Sequence, residues 1–327
     1  MDKMIKKDVG GDKKTPSVSV VLCTYNGAKY IKEQLDSILN QTYPADELII
    51  QDDGSRDATL DIVKGYQKKY PQIKLYCNDN PLGFNYNFST AFQRASGDYI
   101  ASCDQDDIWR EDKLEILVGN MKDNELLFHN SLLFTSTPEK IIGAKNAPDI
   151  VYNELYLALK PFVPGHECFF KRDILPMYKS VVDKERNISY DSLLLIISSV
   201  IGSVDFVNEG LVYWRRHPEA TSYHVDSHLS PLKGLYLALQ SYSDKHKRDI
   251  MVRYFRAIRP LPWKDARDEK IISTLGKGSF ISMCHACILC LMSRKKLYPN
   301  RSFVQSCIKS FFTPFYLLRD NTAFLIH

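Results

Sequence analysis

YIASCDQDDIW, residues 99–109, runs an apolar segment, Tyr99 to Cys103, straight into three carboxylates, Asp104, Asp106 and Asp107. Like charges this close repel, and a buried carboxylate without a partner is costly. The apolar run has the length and residue types of a buried strand, so the acids stand at a strand's carboxyl end. Working outward, two periods alternate. SVSVVLC (17–23), ELIIQDD (47–53) and IKLYC (73–77) predict three earlier strands. KYIKEQLDSILNQ (29–41) predicts a helix with Ile31, Leu35, Ile38 and Leu39 on one face. DATLDIVKGYQKKY (57–70), with Asp57 as its N-cap, and NYNFSTAFQRA (85–95) predict two more. Strict alternation of this kind is the pattern of a parallel sheet with crossover helices.

In such sheets ligands bind beyond the carboxyl ends of the strands. The polar tails TYNG (24–27), DDGS (52–55) and DQDD (104–107) therefore converge on one edge. No G-x-G-x-x-G or G-x-x-x-x-G-K follows the first strand, which argues against a dinucleotide dehydrogenase and a P-loop enzyme. Any phosphate charge must be met otherwise, and a metal held by Asp104 and Asp106 would meet it. Further on, DSLLLIISSVIG (191–202) predicts an apolar helix beginning at Asp191. VDFVNEGLVYWRRH (204–217) predicts a strand, a turn at Glu209–Gly210 and a second strand.

The bulk numbers are those of an ordinary globular protein: 327 residues, 44% hydrophobic and 25% charged. The net charge of +4 is unevenly spread, because residues 229–327 hold 17 Lys/Arg against 6 Asp/Glu. A basic tail on an acidic body suggests an anionic partner surface, membrane or nucleic acid. No helix-turn-helix or metal-finger spacing supports nucleic acid. Residues 1–16 read as a loose Lys/Asp/Gly-rich tail without a secretory signal, and eight scattered cysteines read as reduced thiols in a cytosolic setting. The Cys-x₂-Cys-x₂-Cys spacing of CHACILC (284–290) lies in an apolar helical stretch and reads as core rather than an iron–sulfur site. The apolar run Phe280–Met292 is too short to span a bilayer.

Taken together, SVSVVLCTYNG, QTYPADELIIQDDGSRDAT, NPLGFNYNFSTAFQRASGDYIASCDQDDIWREDKLE, GHECFFKRDIL (165–175) and SYDSLLLIISSVIGSVDFVNEGLVYWRRH (189–217) resemble the family 2 glycosyltransferases. The DQDDIW form and the YWRRH ending are most similar to the rhamnosyltransferase-type branch. The resemblance implies a GT-A fold, a Rossmann-like, mostly parallel sheet with flanking helices, over 17–228, followed by a basic helical region, 229–327. It implies transfer of a sugar from a nucleoside diphosphate donor to a glycan or lipid-linked glycan acceptor, inverting at the anomeric carbon, in bacterial surface polysaccharide synthesis. Transfer to a polyprenyl phosphate, or a catalytically silent nucleotide-sugar-binding subunit, are the alternatives.

By the same resemblance Asp104-Gln105-Asp106 is the D-x-D motif that holds Mg²⁺ or Mn²⁺, hard cations suited to carboxylate oxygens. Thr24, Tyr25 and Asp53, with Asp104, would bind the donor nucleotide. Asp191 is the expected general base, with an ordinary N-cap as the competing role. Arg215 and His217 are expected on the diphosphate or metal, although HPEATS stands where an Asn-containing turn is common. His166, Glu167 and Trp109 are expected on the acceptor side. The setting implied is cytoplasmic, peripheral on the inner face of the cell membrane through the C-terminal region, with no nucleic acid partner.

Overall fold

A computed structural model describes residues 15–135, 137–144, 152–160, 163–217 and 231–320. The expected tail, 1–16, falls almost entirely outside the described residues, as does the segment that follows His217. Strands β1 (Val18–Thr24), β2 (Glu47–Asp52), β3 (Ile73–Cys77) and β4 (Tyr99–Cys103) form within a residue or so of where the apolar runs place them. They alternate with α1 (Ile31–Leu39), α2 (Thr59–Gln67) and α3 (Phe84–Phe92). Strands β5 (Ile108–Trp109), β6 (Leu126–Phe134), β7 (Ile141–Ala144), β8 (Cys168–Lys171) and β9 (Val204–Arg215) complete one sheet in the order β3-β2-β1-β4-β8-β6-β9-β5, with β7 on β6. The first four are parallel, and the sheet turns mixed where β8 joins β4 antiparallel.

Every residue of β1 and β2 is buried, as expected of parallel strands covered on both faces. The period of two divides β1 between the layers. Val18, Val20 and Leu22 pack with Ile31, Leu35 and Ile38 of α1 and with Leu114 and Leu117 of α4 (Lys113–Asn120). Val21 and Cys23 face Phe88 and Phe92 of α3 on the other side.

That second layer holds α5 (Glu154–Leu159), α6 (Leu175–Val182) and α7 (Tyr190–Ile201). It is continuous with the C-terminal helices α8 (Pro231–Gln240), α9 (Lys245–Ile258), α10 (Ala266–Leu275), α11 (Phe280–Met292), α12 (Arg294–Leu297) and α13 (Phe303–Arg319). Tyr254 of α9, for example, is buried and donates to the Ala158 carbonyl of α5 at 2.9 Å. Among the described residues no helix is long and apolar enough to cross a membrane.

Two local expectations are corrected. Residues 204–217 contain no turn at Glu209–Gly210: β9 runs on unbroken, and the irregularity is taken up as register shifts opposite His129 to Ser131 of β6. Gly210 is needed there, since a Cβ would lie 2.5 Å from the Leu132 side chain. Asp57 is not the helix cap. The helix starts at Thr59, and Asp57 instead ties Thr59 to the first loop by accepting from the Thr59 and Ala28 amides.

Candidate active site

Strand register explains which residues meet at the carboxyl edge. β4 and β8 pair antiparallel with Ala101 opposite Phe169. Continuing that register brings Asp104 beside His166, and the His166 Nδ1 lies 3.2 Å from Asp104 Oδ2. β5 and β9 pair antiparallel with Ile108 opposite Tyr213, which brings Asp106 and Asp107 beside Arg215. The Arg215 amide donates to Asp107 Oδ1 at 3.0 Å, and its Nε donates to the Asp106 carbonyl at 2.9 Å. Segments more than sixty residues apart in sequence thus converge on the acidic loop.

The loop is electrostatically loaded. Asp107 is buried and, among the described residues, its Oδ2 has no hydrogen-bond partner. Burial, with Asp106 and Asp104 nearby, pushes its carboxyl up to about 8, although His166 works the other way. Burial also raises Asp106, reinforced by Asp104 and opposed by His217, whose Nε2 lies 2.9 Å from Asp106 Oδ2.

His166 is held the opposite way. Burial alone would lower its pKa, but Asp107, then Asp104 and Glu167, outweigh it and hold the ring at about 9. The hydrogen bonds agree. Ser131 Oγ donates its one proton to Glu167 Oε1 at 2.6 Å, so it must accept from His166 Nε2 at 3.0 Å. With Nδ1 donating to Asp104, the ring is an imidazolium compensating the acids.

Beneath it Lys113 is fully buried, donates to the His166 carbonyl at 3.0 Å and lies 3.8 Å over the Trp109 ring. Burial pulls this ammonium down to about 8. His166, Glu167 and Trp109 were expected to face an acceptor. Instead they are 1%, 0% and 3% exposed and form the floor under the acids. A motif shows residue types at an edge but not which side of the backbone they occupy.

Could this cluster hold a cation? Ligand atoms of Asp104, Asp107 and His166 lie within 4.8 Å of one another. Asp107 Oδ2 has no hydrogen-bond partner among the described residues and lies 3.7 Å from His166 Nδ1, and burial with Asp106 and Asp104 nearby raises the Asp107 carboxyl. Clustered carboxylate oxygens of this kind suit Mg²⁺ or Mn²⁺. The carboxylates fit a divalent cation, with Asp107 joining the Asp104 and Asp106 of the D-x-D pattern. His166, protonated on both ring nitrogens in this arrangement, would become a ligand only on giving up its Nδ1 proton.

The first two strand tails are joined to the third. Gln105, the middle residue of D-x-D, accepts from the Tyr25 amide and donates to the Tyr25 carbonyl, both at 3.0 Å. Gly27 leaves the room, since a Cβ there would lie 2.2 Å from Gln105 Oε1. The Tyr25 ring is thereby presented to solvent, 53% exposed, and is not a core residue. Thr24 is buried and donates to Asp52 Oδ1 at 2.8 Å. Asp52 also collects the Gly54 and Ser55 amides, closing the turn after β2. Asp53 accepts from Asn78 Nδ2, the Leu82 amide and the Gly83 amide at 2.6–2.8 Å. It pins the loop that leads into α3 and retains acceptor capacity on Oδ2, which takes one of these bonds.

Asp191 enters from the other side. Asn85 of α3 bonds the Tyr190 amide and the Ile188 carbonyl at 2.8 and 2.9 Å, and so fixes the start of α7. Tyr190 stacks on Phe88, with ring centroids 4.4 Å apart. Asp191 Oδ1 accepts from Ser189 Oγ and from the Ser192 amide, whereas Oδ2 carries no hydrogen bond among the described residues. Burial raises its pKa, and Asp104 adds to the rise. The helix begins at Tyr190 with Ser189 at the N-cap position, so Asp191 is not the cap.

Arg215 is turned inward. It is buried, reaches Glu33 at 2.5 Å, and lies 4.7 Å over Tyr30 and 4.6 Å over Phe134. His217 alone of the expected pair presents its side chain to the acids. Lys113 and Asn85 escaped the sequence reading, which placed Asp107 in the acidic cluster and Gln105 in D-x-D without giving either a role. A second acid directly after D-x-D and a Lys four residues beyond Trp109 are too common as surface features to signal these roles.

The family model described as Glycosyl transferase family 2 matches residues 19–175. An uncharacterized glycosyltransferase of Haemophilus influenzae is 30% identical over 218 residues, 63% of this chain and 68% of that one. The chain belongs to glycosyl transferase family 2. Within the family it is similar to WfgD of Escherichia coli, a UDP-Glc:alpha-D-GlcNAc-diphosphoundecaprenol beta-1,3-glucosyltransferase. The two are 35% identical over 139 residues, 42% of this chain and 54% of WfgD, so the match spans about half of that protein's length. The fold is that of the mannosyltransferase PcManGT from Pyrobaculum calidifontis, solved with GDP-Man and Mn²⁺. The TM-score is 0.53 at 18% identity, covering 97% of this chain and 90% of that one. The protein is thus a family 2 glycosyltransferase with a GT-A sheet and a helical C-terminal region; nothing places it in a rhamnosyltransferase branch.

Proposed function

We propose that the protein moves a sugar from a nucleoside diphosphate donor to a hydroxyl of a glycan or lipid-linked glycan, with inversion, in surface polysaccharide synthesis. The observation that carries this is a charge-loaded acidic cluster at the strand ends with a separate, half-tethered carboxylate, Asp191, close enough for Asp104 to raise its pKa. WfgD's name supports a lipid-linked acceptor, and the donor and Mn²⁺ bound by PcManGT support the substrate class and the metal. The catalytic unit is residues 17–228, with 229–327 packed onto it, working at the inner face of the cell membrane.

Asp104 and Asp106, with Asp107, would hold Mg²⁺ or Mn²⁺, and the bound cation would supply Lewis-acid compensation for the charge of the diphosphate leaving group. The other steps belong to side chains. Tyr25 offers an exposed ring to the nucleotide base, and stacking of this kind tolerates any base. Thr24 and Asp53 shape the floor and the rim around it. Asp191, its Oδ1 anchored, takes the acceptor hydroxyl's proton on Oδ2 as the oxygen attacks the anomeric carbon. Burial and Asp104 raise the pKa of that carboxyl, which makes its ionised form the stronger base. His217 orients Asp106, and Arg215 clamps the acidic loop rather than the substrate.

Titration of the protein with UDP, GDP and TDP, with and without Mn²⁺, tests this reading, followed by hydrolysis of a panel of nucleotide sugars. At least one nucleotide should bind more than tenfold more tightly with Mn²⁺, and Asp104→Asn should remove that gain. Binding without donor turnover would favour a silent subunit, and no nucleotide binding at all would refute the proposal.

A further inference from the structure

Helices α11 and α13 each bury one face in the core. Met283, Ala286, Cys287 and Cys290 of α11 are inside, as are Phe315, Leu317 and Leu318 of α13. Their opposite faces are also apolar. On α11 the exposed side is Phe280 (58%), Ile281 (81%), Cys284, Ile288 and Met292, with His285 its one polar member; on α13 it is Phe303 (69%), Val304 (63%), Ile308 and Phe311. Spacings of three, four and four residues from Ile281 make a continuous stripe along one side of α11.

The stripes adjoin. The short link through α12 folds the helices against each other, and Arg294 lies over the Phe303 ring at 5.1 Å, joining the end of one stripe to the start of the other. Scattered surface apolar residues are ordinary, but a contiguous double stripe marks an interaction surface.

Charge identifies the partner. Residues 270–319 contain eight Lys and Arg and no Asp or Glu. Lys277, Lys295, Arg301 and Lys309 are exposed around the stripes. Lys309 sits in a cationic neighbourhood, where burial and nearby Arg301 and Lys160 lower its pKa. A face built to meet an ordinary protein partner mixes both signs at its rim. Lys296 and Arg319 are paired with Asp268 and Asp320, and Glu269 stands near Lys277. Lys295, Arg301 and Lys309 beside the stripes nonetheless leave a net basic rim. Such a rim matches an anionic bilayer, where apolar side chains enter the acyl boundary and Lys and Arg stay among the headgroups.

We infer that the outer face of the α11–α13 pair docks this protein on an anionic lipid surface, lying in the interface without crossing it. The inference is independent of the catalytic reading: a protein that bound vesicles but no nucleotide would keep the one and lose the other.

Sedimentation of the full chain with phosphatidylglycerol/phosphatidylcholine vesicles, against pure phosphatidylcholine, is the test. Binding should require the anionic lipid and fall steeply with salt. The triple change Ile281→Glu, Ile288→Glu and Phe303→Glu should weaken it more than tenfold while UDP or GDP affinity stays as in the parent. Neutralising Lys295, Arg301 and Lys309 to Gln should cost about fivefold for each charge that reaches the surface; this set decides the matter if the apolar variant fails to fold. Indifference to anionic vesicles at low salt would overturn the inference. So would a concentration-dependent dimer split by the same apolar changes without vesicle binding, which would make the face an interface between copies.

Discussion

Replacing Arg215 by Met separates a clamp from a substrate contact. The guanidinium donates to the Asp106 carbonyl, pairs with Glu33, and stacks on Tyr30 and Phe134. Met keeps most of the stem's packing and removes the charge. A charged hydrogen bond is worth about 1.5–3 kcal/mol, and each stack about 0.5–1 kcal/mol. Glu33 is more than half exposed, so that pair adds little. Losing a buried charge also relieves its desolvation cost, which leaves an expected loss of about 2–3 kcal/mol. Because the bond holds the loop between Asp106 and Asp107, affinity for Mn²⁺ alone should fall as well. Urea unfolding reads the first effect, and calorimetric titration of Mn²⁺ without nucleotide reads the second. If stability and Mn²⁺ affinity were both unchanged while nucleoside diphosphate binding collapsed, the arginine would be a phosphate ligand and the clamp argument would be wrong.

Other perturbations probe the remaining supports. Asp191→Asn should lower turnover by about 10²–10⁴-fold with donor affinity little changed; near-normal turnover would move the base elsewhere. In the parent, turnover should fall as pH drops through a carboxyl pKa above the usual aspartate range, because burial and Asp104 raise it, and a pH–rate profile locates that limb. Gly165→Ala would put a Cβ 1.8 Å from the Tyr190 hydroxyl, against a ring already stacked on Phe88. A loss of about 1–3 kcal/mol or more in thermal or urea unfolding is expected. For Glu47, burial would raise the pKa, but hydrogen bonds from Lys74, Ser19 and Ser96 outweigh it and hold the carboxyl at about 2 rather than 4.5. Its folded-state pKa is depressed, so its contribution is present above about pH 4.5 and lost as pH falls toward 2. Glu47→Gln should flatten that part of the acid-unfolding curve.

The alternation of Val/Ile/Leu runs with helical periods determined the first half of the sheet to within a residue or so, because buried parallel strands and amphipathic helices leave different periods in the chain. It also placed Asp104, Asp106 and Asp191 at element ends, where a site of this class must lie. The same residues in isolation left Asp191 open between base and cap. Only the position of Ser189, and the bond from Asn85 to the Tyr190 amide, excluded the cap.

What the tertiary structure alone decided is pairing across sequence distance. The antiparallel entry of β8 beside β4, and of β5 beside β9, cannot be read from local periodicity, since an antiparallel neighbour and a parallel one can share the same apolar pattern. Those two registers set His166 against Asp104 and turn Arg215 inward beneath Asp106. They bury Trp109 and Glu167 as floor rather than surface. The sequence showed the apolar run Phe280–Met292; packing decided which of its residues were used up in the core and which remained outside.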